Sequence, residues 1–170
     1  MNLYSELKSQ TLGYYRFNDP KAFRYFKWFY RAPMVRYETA KYPINYYPIG
    51  KLLLKATQRR LKHLYMPDFK VEYGMVDAWR GVDKGTDEWH NDMPDGYNIA
   101  FLMYLSNTSP AIGGGLEFRA KDVSYTEIVY PKKYDIIVLD QELKYEHRVL
   151  PLLKPINRDI ANIEFNLIEK

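Results

Sequence analysis

A chain of 170 residues and 20.3 kDa is long enough to bury a core of its own, and with 46% hydrophobic and 27% charged residues its composition is that of a globular protein. The sequence contains no cysteine, which excludes disulfide scaffolds, thiolate metal centres and cysteine nucleophiles. The net charge of +4 is uneven, because residues 1–68 hold 13 Lys/Arg against 4 Asp/Glu, whereas residues 69–170 hold 12 against 17.

The charge asymmetry and the lack of long apolar runs set two further expectations. The basic N-terminal third, residues 1–68, is compatible with binding to nucleic acid or another acidic partner, or with helices whose basic faces are simply solvated. The longest uncharged apolar run, residues 99–105, is far too short to span a bilayer, and the N-terminus lacks the pattern of a secretory signal. We therefore expect a soluble, cytoplasmic protein with no membrane partner.

The N-terminal region, residues 1–68, is predicted to be a mostly helical support region. Asp19 before Pro20 is typical of a helix start, because aspartate caps the first turn and proline fits into it. Apolar side chains then recur at helical spacing until Pro33. A second amphipathic helix is predicted from about residue 49 to residue 66, where basic and apolar side chains occupy different faces.

The remainder of the chain, residues 69–170, consists of short β-rich runs separated by turn residues. Eight strands are predicted, near residues 70–80, 87–92, 97–106, 114–120, 124–130, 134–140, 145–151 and 158–168. This many short strands in about 100 residues favours a sandwich or a jelly roll.

The last predicted strand has two different faces, since side chains alternate along a strand. One face is apolar and is predicted to pack into a core: it carries Ala161, Ile163, Phe165 and Leu167. The other face is predicted to line solvent or a polar cavity: it carries Arg158, Ile160, Asn162, Glu164 and Asn166.

Two of the three histidines are candidates for a metal site. In a strand, His90 and Asp92 project from the same face, and His147 follows 55 residues after Asp92 in another predicted strand. Two histidines and one carboxylate on one face of an octahedron, with three positions open, form the non-heme iron(II) oxygenase site. The alternative is a chance pattern of two ordinary histidines. His63 lies in the basic helical stripe with no ligand partner in view, and we interpret it as an ordinary surface residue.

Arg158 adds a second element to this pattern. It follows His147 by 11 residues, so an antiparallel pair of strands can return it beside the metal. Its planar, permanently charged fork suits a carboxylate, and a dicarboxylic keto acid would bind the iron with one end and Arg158 with the other. The alternative is a surface arginine paired with Glu164 or Asp159.

Further motifs stand in the same order around these residues. In chain order they are Trp79, His90-Asn91-Asp92, the run Met-Tyr-Leu-Ser-Asn at 103–107, Gly113-Gly114-Gly115 with Phe118, Pro131-Lys132-Lys133, His147-Arg148-Val149-Leu150-Pro151, and Arg158. Over roughly residues 70–168 the chain resembles the iron(II)/2-oxoglutarate-dependent dioxygenase superfamily, specifically its prolyl-hydroxylase-like branch. The resemblance implies a mostly β fold: a double-stranded β-helix (jelly roll) at residues 69–170, with N-terminal helices packed on one sheet, in one compact domain overall. The glycine run lacks the Lys-Ser/Thr of a phosphate loop, so a tight turn is expected there.

The resemblance also implies cofactors and their ligands. Fe(II) would be bound by His90, Asp92 and His147, and Arg158 would pair with the distal carboxylate of 2-oxoglutarate. With O₂, the family chemistry converts 2-oxoglutarate to succinate and CO₂ while it hydroxylates a C–H bond. No further catalytic side chain is required.

Five positions near this set match or depart from the family pattern. Tyr104 matches a tyrosine that hydrogen-bonds 2-oxoglutarate, although a tyrosine in a strand is also an ordinary core residue. Trp79 stands where the family usually has a tyrosine in contact with the cosubstrate, and its indole donates but does not accept a hydrogen bond. Asn162 is the nearest polar candidate where the family often has Thr or Ser. Glu164 replaces a large aromatic and is predicted either to contact substrate or to be solvated, and Tyr134 stands where a glycine is common.

The substrate is the least determined feature. The resemblance favours a protein or peptide side chain, or a small molecule such as an amino acid. One alternative is a 2-oxoglutarate oxygenase that modifies nucleic-acid bases, suggested by the basic residues 1–68, although the residues after Arg158 do not resemble the end of nucleic-acid demethylases. A second alternative is a non-catalytic jelly-roll binding module.

Overall fold

The computed structural model describes residues 3–25, 40–43, 56, 59–61, 63, 65–80, 86–91, 96–156 and 158–170, with the backbone alone in 24–25, 40–43, 71–80, 86–87 and 169. Helix α1 (Leu3–Lys8) is followed by β1 (Tyr14–Asn18), a 3₁₀ helix (Ala22–Tyr25) and β2 (Ala40–Pro43). The remaining strands are β3 (Phe69–Arg80), β4 (Thr86–His90), β5 (Ile99–Tyr104), β6 (Leu116–Ala120), β7 (Glu127–Val129), β8 (Asp135–Asp140), β9 (Tyr145–Val149) and β10 (Ile160–Glu169).

These strands form two antiparallel sheets. The six-stranded sheet has the order β1-β8-β5-β10-β3-β2, and the four-stranded sheet has the order β4-β9-β6-β7. All eight strands predicted after residue 69 are present, as β3 to β10. Most neighbours within a sheet are distant in sequence, which is the connectivity of a jelly roll. The prediction of a mostly β jelly roll is confirmed.

The N-terminal region contributes strands that the sequence analysis did not predict. β1 pairs with β8 and β2 pairs with β3, so each extends one edge of the six-stranded sheet. In β1 the aromatic side chains alternate, with Tyr14 on one core and Tyr15 and Phe17 on the other. A five-residue alternation inside a basic, helix-like segment is too short to be recognised from periodicity alone.

The predicted helices of this region are described in part. Asp19 caps as predicted, because its Oδ1 accepts hydrogen bonds from the N–H groups of Lys21 (3.0 Å) and Ala22 (3.3 Å). The helix that follows is a 3₁₀ turn as far as Tyr25, and its predicted continuation to Pro33 lies outside the described residues. From the second predicted helix, residues 56, 59–61, 63 and 65 are helical. The domain boundary at residue 68 stays a prediction. No helix in the described part of the chain is long and apolar enough to cross a membrane.

The six-stranded sheet separates two cores. The outer core lies between this sheet and the N-terminal elements, and it includes Leu3, Leu7, Phe23, Leu61 and Met66 together with Phe101, Ala161, Ile163, Phe165 and Leu167. The inner core lies between the two sheets and includes Ala100, Tyr104, Leu116, Phe118, Ile137, Leu139 and Ile160. The predicted apolar face of the last strand therefore packs into the outer core. Its other face is turned toward the inner core, where the candidate site lies.

A strained turn between β7 and β8 contains Tyr134, the residue before β8. This residue has a φ of +73°, in the left-handed region that costs a side-chain-bearing residue about 1–2 kcal/mol. Its N–H donates to the carbonyl of Tyr104 (2.8 Å), its carbonyl accepts from the N–H of Asp19 (3.2 Å), and its ring meets the ring of Phe23 edge-on at 5.3 Å. In the family pattern a glycine is common at this position. The contact between the rings of Tyr134 and Phe23 offsets the cost of the strained backbone.

Candidate functional site

Strand pairing places the two histidines side by side. His90 at the end of β4 lies directly opposite His147 in β9, and the ring centroids are 4.3 Å apart. In an antiparallel pair, directly opposed side chains share a face of the sheet. That face is the inner one, because Phe118 of the inner core lies opposite His147 on its other side. Strand pairing thus brings together two residues that are 57 positions apart in the sequence.

The backbone around His90 defines which ring nitrogen is available to a metal. Its Nδ1 lies 3.1 Å from the carbonyl oxygen of Glu88, which can only accept, so Nδ1 carries the proton and Nε2 keeps its lone pair. The next residue, Asn91, donates from Nδ2 to the carbonyls of Glu142 (3.0 Å) and Tyr145 (2.8 Å). This tether holds the end of β4 against the β8–β9 turn.

The third predicted ligand, Asp92, lies outside the described residues. Within the described ranges, no group of three His, Cys, Asp or Glu side chains is placed to hold a metal. The paired imidazoles supply two nitrogen donors of the kind that iron(II) accepts, and Asp92 is the next residue but one after His90. The donor set therefore fits a two-histidine site, and its carboxylate remains a prediction.

Aromatic rings form the floor beneath His147. The Phe118 ring centroid lies 6.4 Å from the imidazole centroid of His147, and Tyr14 stacks on Phe118 at 4.0 Å with an interplanar angle of 17°. Burial and a hydrogen bond with Glu127 raise the pKa of Tyr14, so its phenol stays neutral. The histidines thus rest on an apolar, uncharged support.

Arg158 is buried, with 7% of its surface exposed, which rules out the alternative of a surface arginine. It lies just before β10, and its stem passes close to the glycine turn. A Cβ built on Gly114 would lie 3.3 Å from Cδ of Arg158 and 2.9 Å from Cδ2 of Leu152. Gly113 and Gly114 have φ values of +81° and +72°, so the predicted tight turn is confirmed. Glycine at 114 leaves the space that the arginine stem occupies.

The other candidates for contacting the cosubstrate lie on the strands beside Arg158. Tyr104 is fully buried in the inner core, and its backbone lies opposite Ile160 of β10. Trp79 lies opposite Ile160 on the other neighbouring strand, β3. Ser106 Oγ accepts a hydrogen bond from the N–H of Asp159 (2.9 Å) and so fixes the chain between Arg158 and β10. The register therefore gathers Tyr104, Trp79 and Arg158 at one end of β10.

Asn162 and Glu164 continue the inner face of β10. Glu164 lies opposite Ala100, an inner-core residue, and is only 3% exposed, so the expectation that it is solvated is wrong. Asn162 donates from Nδ2 to Oε1 of Glu164 at 2.6 Å. In the described structure no hydrogen-bond partner of Asn162 Oδ1 is present, although this atom is buried. Two polar side chains are therefore held inside the jelly roll on the strand that begins after Arg158.

A charged cluster on the opposite face of the four-stranded sheet was not predicted from the sequence. Trp89 lies beneath the guanidinium groups of Arg119 and Arg148, whose carbons are 4.3 and 4.9 Å from its ring centroid. Arg119 Nε donates to Glu146 (2.7 Å) and Arg148 Nε to Glu117 (2.6 Å). These residues come together only through the pairing of β4, β9 and β6. The one sign of the cluster in the sequence is therefore Trp89 next to His90.

Comparisons with known proteins agree on the fold. No protein-family model matches the sequence, and no curated protein matches it significantly. Among solved structures, a prolyl hydroxylase from Trichoplax adhaerens, in complex with a peptide fragment of the hypoxia inducible factor oxygen degradation domain, has a TM-score of 0.70 at 12% identity. The match covers 96% of this chain and 87% of that one.

Two further structures extend this likeness. A prolyl 4-hydroxylase from Phytophthora capsici has a TM-score of 0.68 at 16% identity, over 97% of this chain but only 63% of that one. HygX from Streptomyces hygroscopicus, with nickel and 2-oxoglutarate bound, has a TM-score of 0.64 at 13% identity, over 96% and 85%. The chain thus has the jelly-roll fold of these oxygenases, which belong to the superfamily that its motifs resemble.

Proposed function

We propose that this chain is an iron(II)- and 2-oxoglutarate-dependent dioxygenase that hydroxylates a C–H bond. The observation that supports it best is the pairing of His90 and His147 across β4 and β9, with ring centroids 4.3 Å apart inside the jelly roll. A binding module would not need both two imidazoles in register and a buried Arg158. The fold, shared with known oxygenases, agrees with this function.

In this proposal His90, His147 and Asp92 hold Fe(II). When bound, Fe(II) with 2-oxoglutarate and O₂ supplies the oxidation that places oxygen on the substrate carbon and yields succinate and CO₂. The hydrogen bond from His90 Nδ1 to the Glu88 carbonyl restrains the imidazole and would leave Nε2 to bind the metal. Apolar side chains of the inner core would shield the site from water on the side of Phe118.

Arg158 would bind the distal carboxylate of 2-oxoglutarate. Its guanidinium is permanently charged and buried, and a two-pronged carboxylate is the partner that suits its geometry. We assign Tyr104, Trp79 and Asn162 to the same cosubstrate pocket. Tyr104 is supported by its buried hydroxyl, and Asn162 by an Oδ1 that is buried and accepts no hydrogen bond from the described residues. Trp79 is supported only by its register opposite Ile160.

For the substrate we propose a protein or peptide side chain, or a free amino acid, that meets Glu164. A carboxylate on the inner face accepts hydrogen bonds and, when ionised, carries negative charge, so it favours a substrate group with N–H donors or positive charge. The Glu164→Gln variant keeps the shape and the contact with Asn162 but removes the charge. It is expected to bind 2-oxoglutarate as the wild type does and to lose its preference for basic over neutral peptides.

The test is succinate formation from 2-oxoglutarate by protein reconstituted with Fe(II) in air. The wild type is expected to form succinate, His147→Ala to form none, and His63→Ala, which removes an exposed histidine outside the site, to match the wild type. Mass spectrometry on candidate peptides, amino acids and oligonucleotides then identifies the substrate by the addition of one oxygen atom. Absence of iron-dependent succinate in the wild type would favour the binding module, and oxidation of oligonucleotides alone would favour the nucleic-acid alternative.

A further inference from the structure

The strand that carries His90 has few contacts that fix its register. Among the described residues, β4 pairs only with β9, at the edge of the four-stranded sheet, and the matched positions are Thr86 with Val149 and His90 with His147. The register is irregular between these two positions. Because a one-residue slip moves a side chain to the opposite face of a sheet, the backbone ladder alone does not secure the inward orientation of His90.

The residue before His90 supplies an additional anchor on the outer face. The ring of Trp89 lies beneath the guanidinium groups of Arg119 in β6 and Arg148 in β9, at 4.3 and 4.9 Å. Such cation–π contacts are favourable within about 6 Å of the ring centroid. Side chains alternate along a strand, so a ring held on the outer face places the next side chain on the inner face.

The two arginines are themselves held in place. Arg148 Nε donates to Oε2 of Glu117 at 2.6 Å, and Arg119 Nε donates to Oε2 of Glu146 at 2.7 Å, with Nη2 of Arg119 forming an ion pair to the same oxygen at 2.6 Å. Each carboxylate is on the neighbouring strand, so these bonds tie β6 to β9. We call Trp89, Arg119, Arg148, Glu117 and Glu146 the outer cluster. It forms a fixed platform on β6 and β9 that receives the ring from β4.

We propose that Trp89 is a positioning residue for the metal site, which acts by holding β4 so that His90 faces His147. This inference rests on the proposed function, since it assumes that His90 binds the metal. Trp89 precedes His90 in β4, and Arg148 follows His147 in β9. The contact between Trp89 and Arg148 on the outer face therefore lies directly behind the two imidazoles on the inner face. The outer cluster therefore sets the separation and tilt of the two imidazoles from outside the site.

The test measures Co²⁺ binding, because the visible spectrum of Co²⁺ reports the geometry of its ligands and needs no turnover. Trp89→Leu keeps apolar bulk but removes the π face, and Trp89→Phe restores a smaller one. Removal of a group that orients a metal-ligating histidine typically costs about 10–100-fold in affinity, so Trp89→Leu is expected to bind Co²⁺ about 10-fold more weakly, with an altered spectrum. Trp89→Phe is expected to recover most of that loss.

The control is Leu153→Ala, which truncates a side chain 66% exposed in the loop after β9 and outside the outer cluster, and it is expected to bind as the wild type does. Should Trp89→Leu fail to fold by circular dichroism, Arg119→Met tests the cluster from its other side and is expected to weaken Co²⁺ binding too. Wild-type affinity and spectrum in folded Trp89→Leu would overturn the inference alone. A wild-type protein that binds no Co²⁺ would overturn the proposed function together with it.

Discussion

Replacement of Arg158 by alanine provides the most direct test of the cosubstrate pocket. Truncating one partner of a buried, hydrogen-bonded charge pair costs about 2–5 kcal/mol, much of it because the other charge is left buried without compensation. Arg158 is 7% exposed, so water cannot replace its guanidinium without rearrangement of the pocket. With about 1.4 kcal/mol for each factor of ten, the affinity for 2-oxoglutarate should fall by about 30-fold to a few thousand-fold.

The assay is calorimetric titration of 2-oxoglutarate into Mn²⁺-loaded protein without O₂, so that no turnover occurs. Arg158→Ala should still bind Mn²⁺ with wild-type affinity, because its guanidinium is not a metal ligand. Arg158→Lys keeps the charge but loses the planar fork, and its affinity should fall between those of wild type and alanine variant. Lys154→Ala removes an exposed cation from the same loop and serves as the control.

Two results would refute the reasoning. Equal affinity of wild type and Arg158→Ala for 2-oxoglutarate would show that the distal carboxylate binds elsewhere. A comparable loss in Lys154→Ala would show that the effect is one of net positive charge rather than of the buried guanidinium.

Three further predictions concern metal binding and stability. A ligand at about 100 times its Kd stabilises a protein by about 2.7 kcal/mol, so saturating Mn²⁺ should raise the Tm of the wild type by about 5–10 °C in thermal unfolding. Mn²⁺ should not raise the Tm of His147→Ala. Tyr134→Gly and Tyr134→Ala both remove the ring, but only glycine adopts a φ of +73° without strain. In urea unfolding, the glycine variant should therefore be more stable than the alanine variant by about 1 kcal/mol. Equal stabilities would contradict the backbone strain at this position. Burial raises the pKa of Asp19, but hydrogen bonds from Tyr65 and Arg60 outweigh it and hold the pKa below its usual value. The ionised carboxylate therefore stabilises the fold above about pH 4, and this stabilisation is lost as the pH falls through the folded-state pKa. The unfolding free energy of Asp19→Asn should be lower than that of wild type by the largest amount near neutral pH, and the difference should shrink in acid. A difference that does not depend on pH would contradict the lowered pKa of Asp19.

The strands and the main site residues could be predicted because their signals are local. Alternation along β10 separates the apolar Ile163 and Phe165 from the polar Asn162 and Glu164, and each set occupies the predicted face. The same alternation, extended by two residues, put Arg158 on the polar face but left open whether it lies in solvent or in a cavity, and the structure shows it buried. The jelly roll was predicted from the number of short strands and from the resemblance of the motif order to the dioxygenase superfamily.

Features that depend on partners distant in sequence were not predicted. β1 joins the six-stranded sheet only because β8 offers a free edge, and the left-handed Tyr134 is retained only because the ring of Phe23 lies against it. The packing of Trp89 on two arginines likewise follows from the pairing of β4, β9 and β6. Each arrangement is favourable only after other strands are in place.

The sequence by itself therefore determined the alternation of each strand, the identity of the candidate ligands and the class of fold, since these depend on side-chain chemistry and on spacing along one segment. The tertiary structure alone decided that His90 meets His147, that Glu164 is enclosed rather than solvated, and that an outer cluster lies behind the histidines. The physical reason is that register between strands is fixed by packing on both faces of a sheet, and those faces are built from residues far apart in the chain.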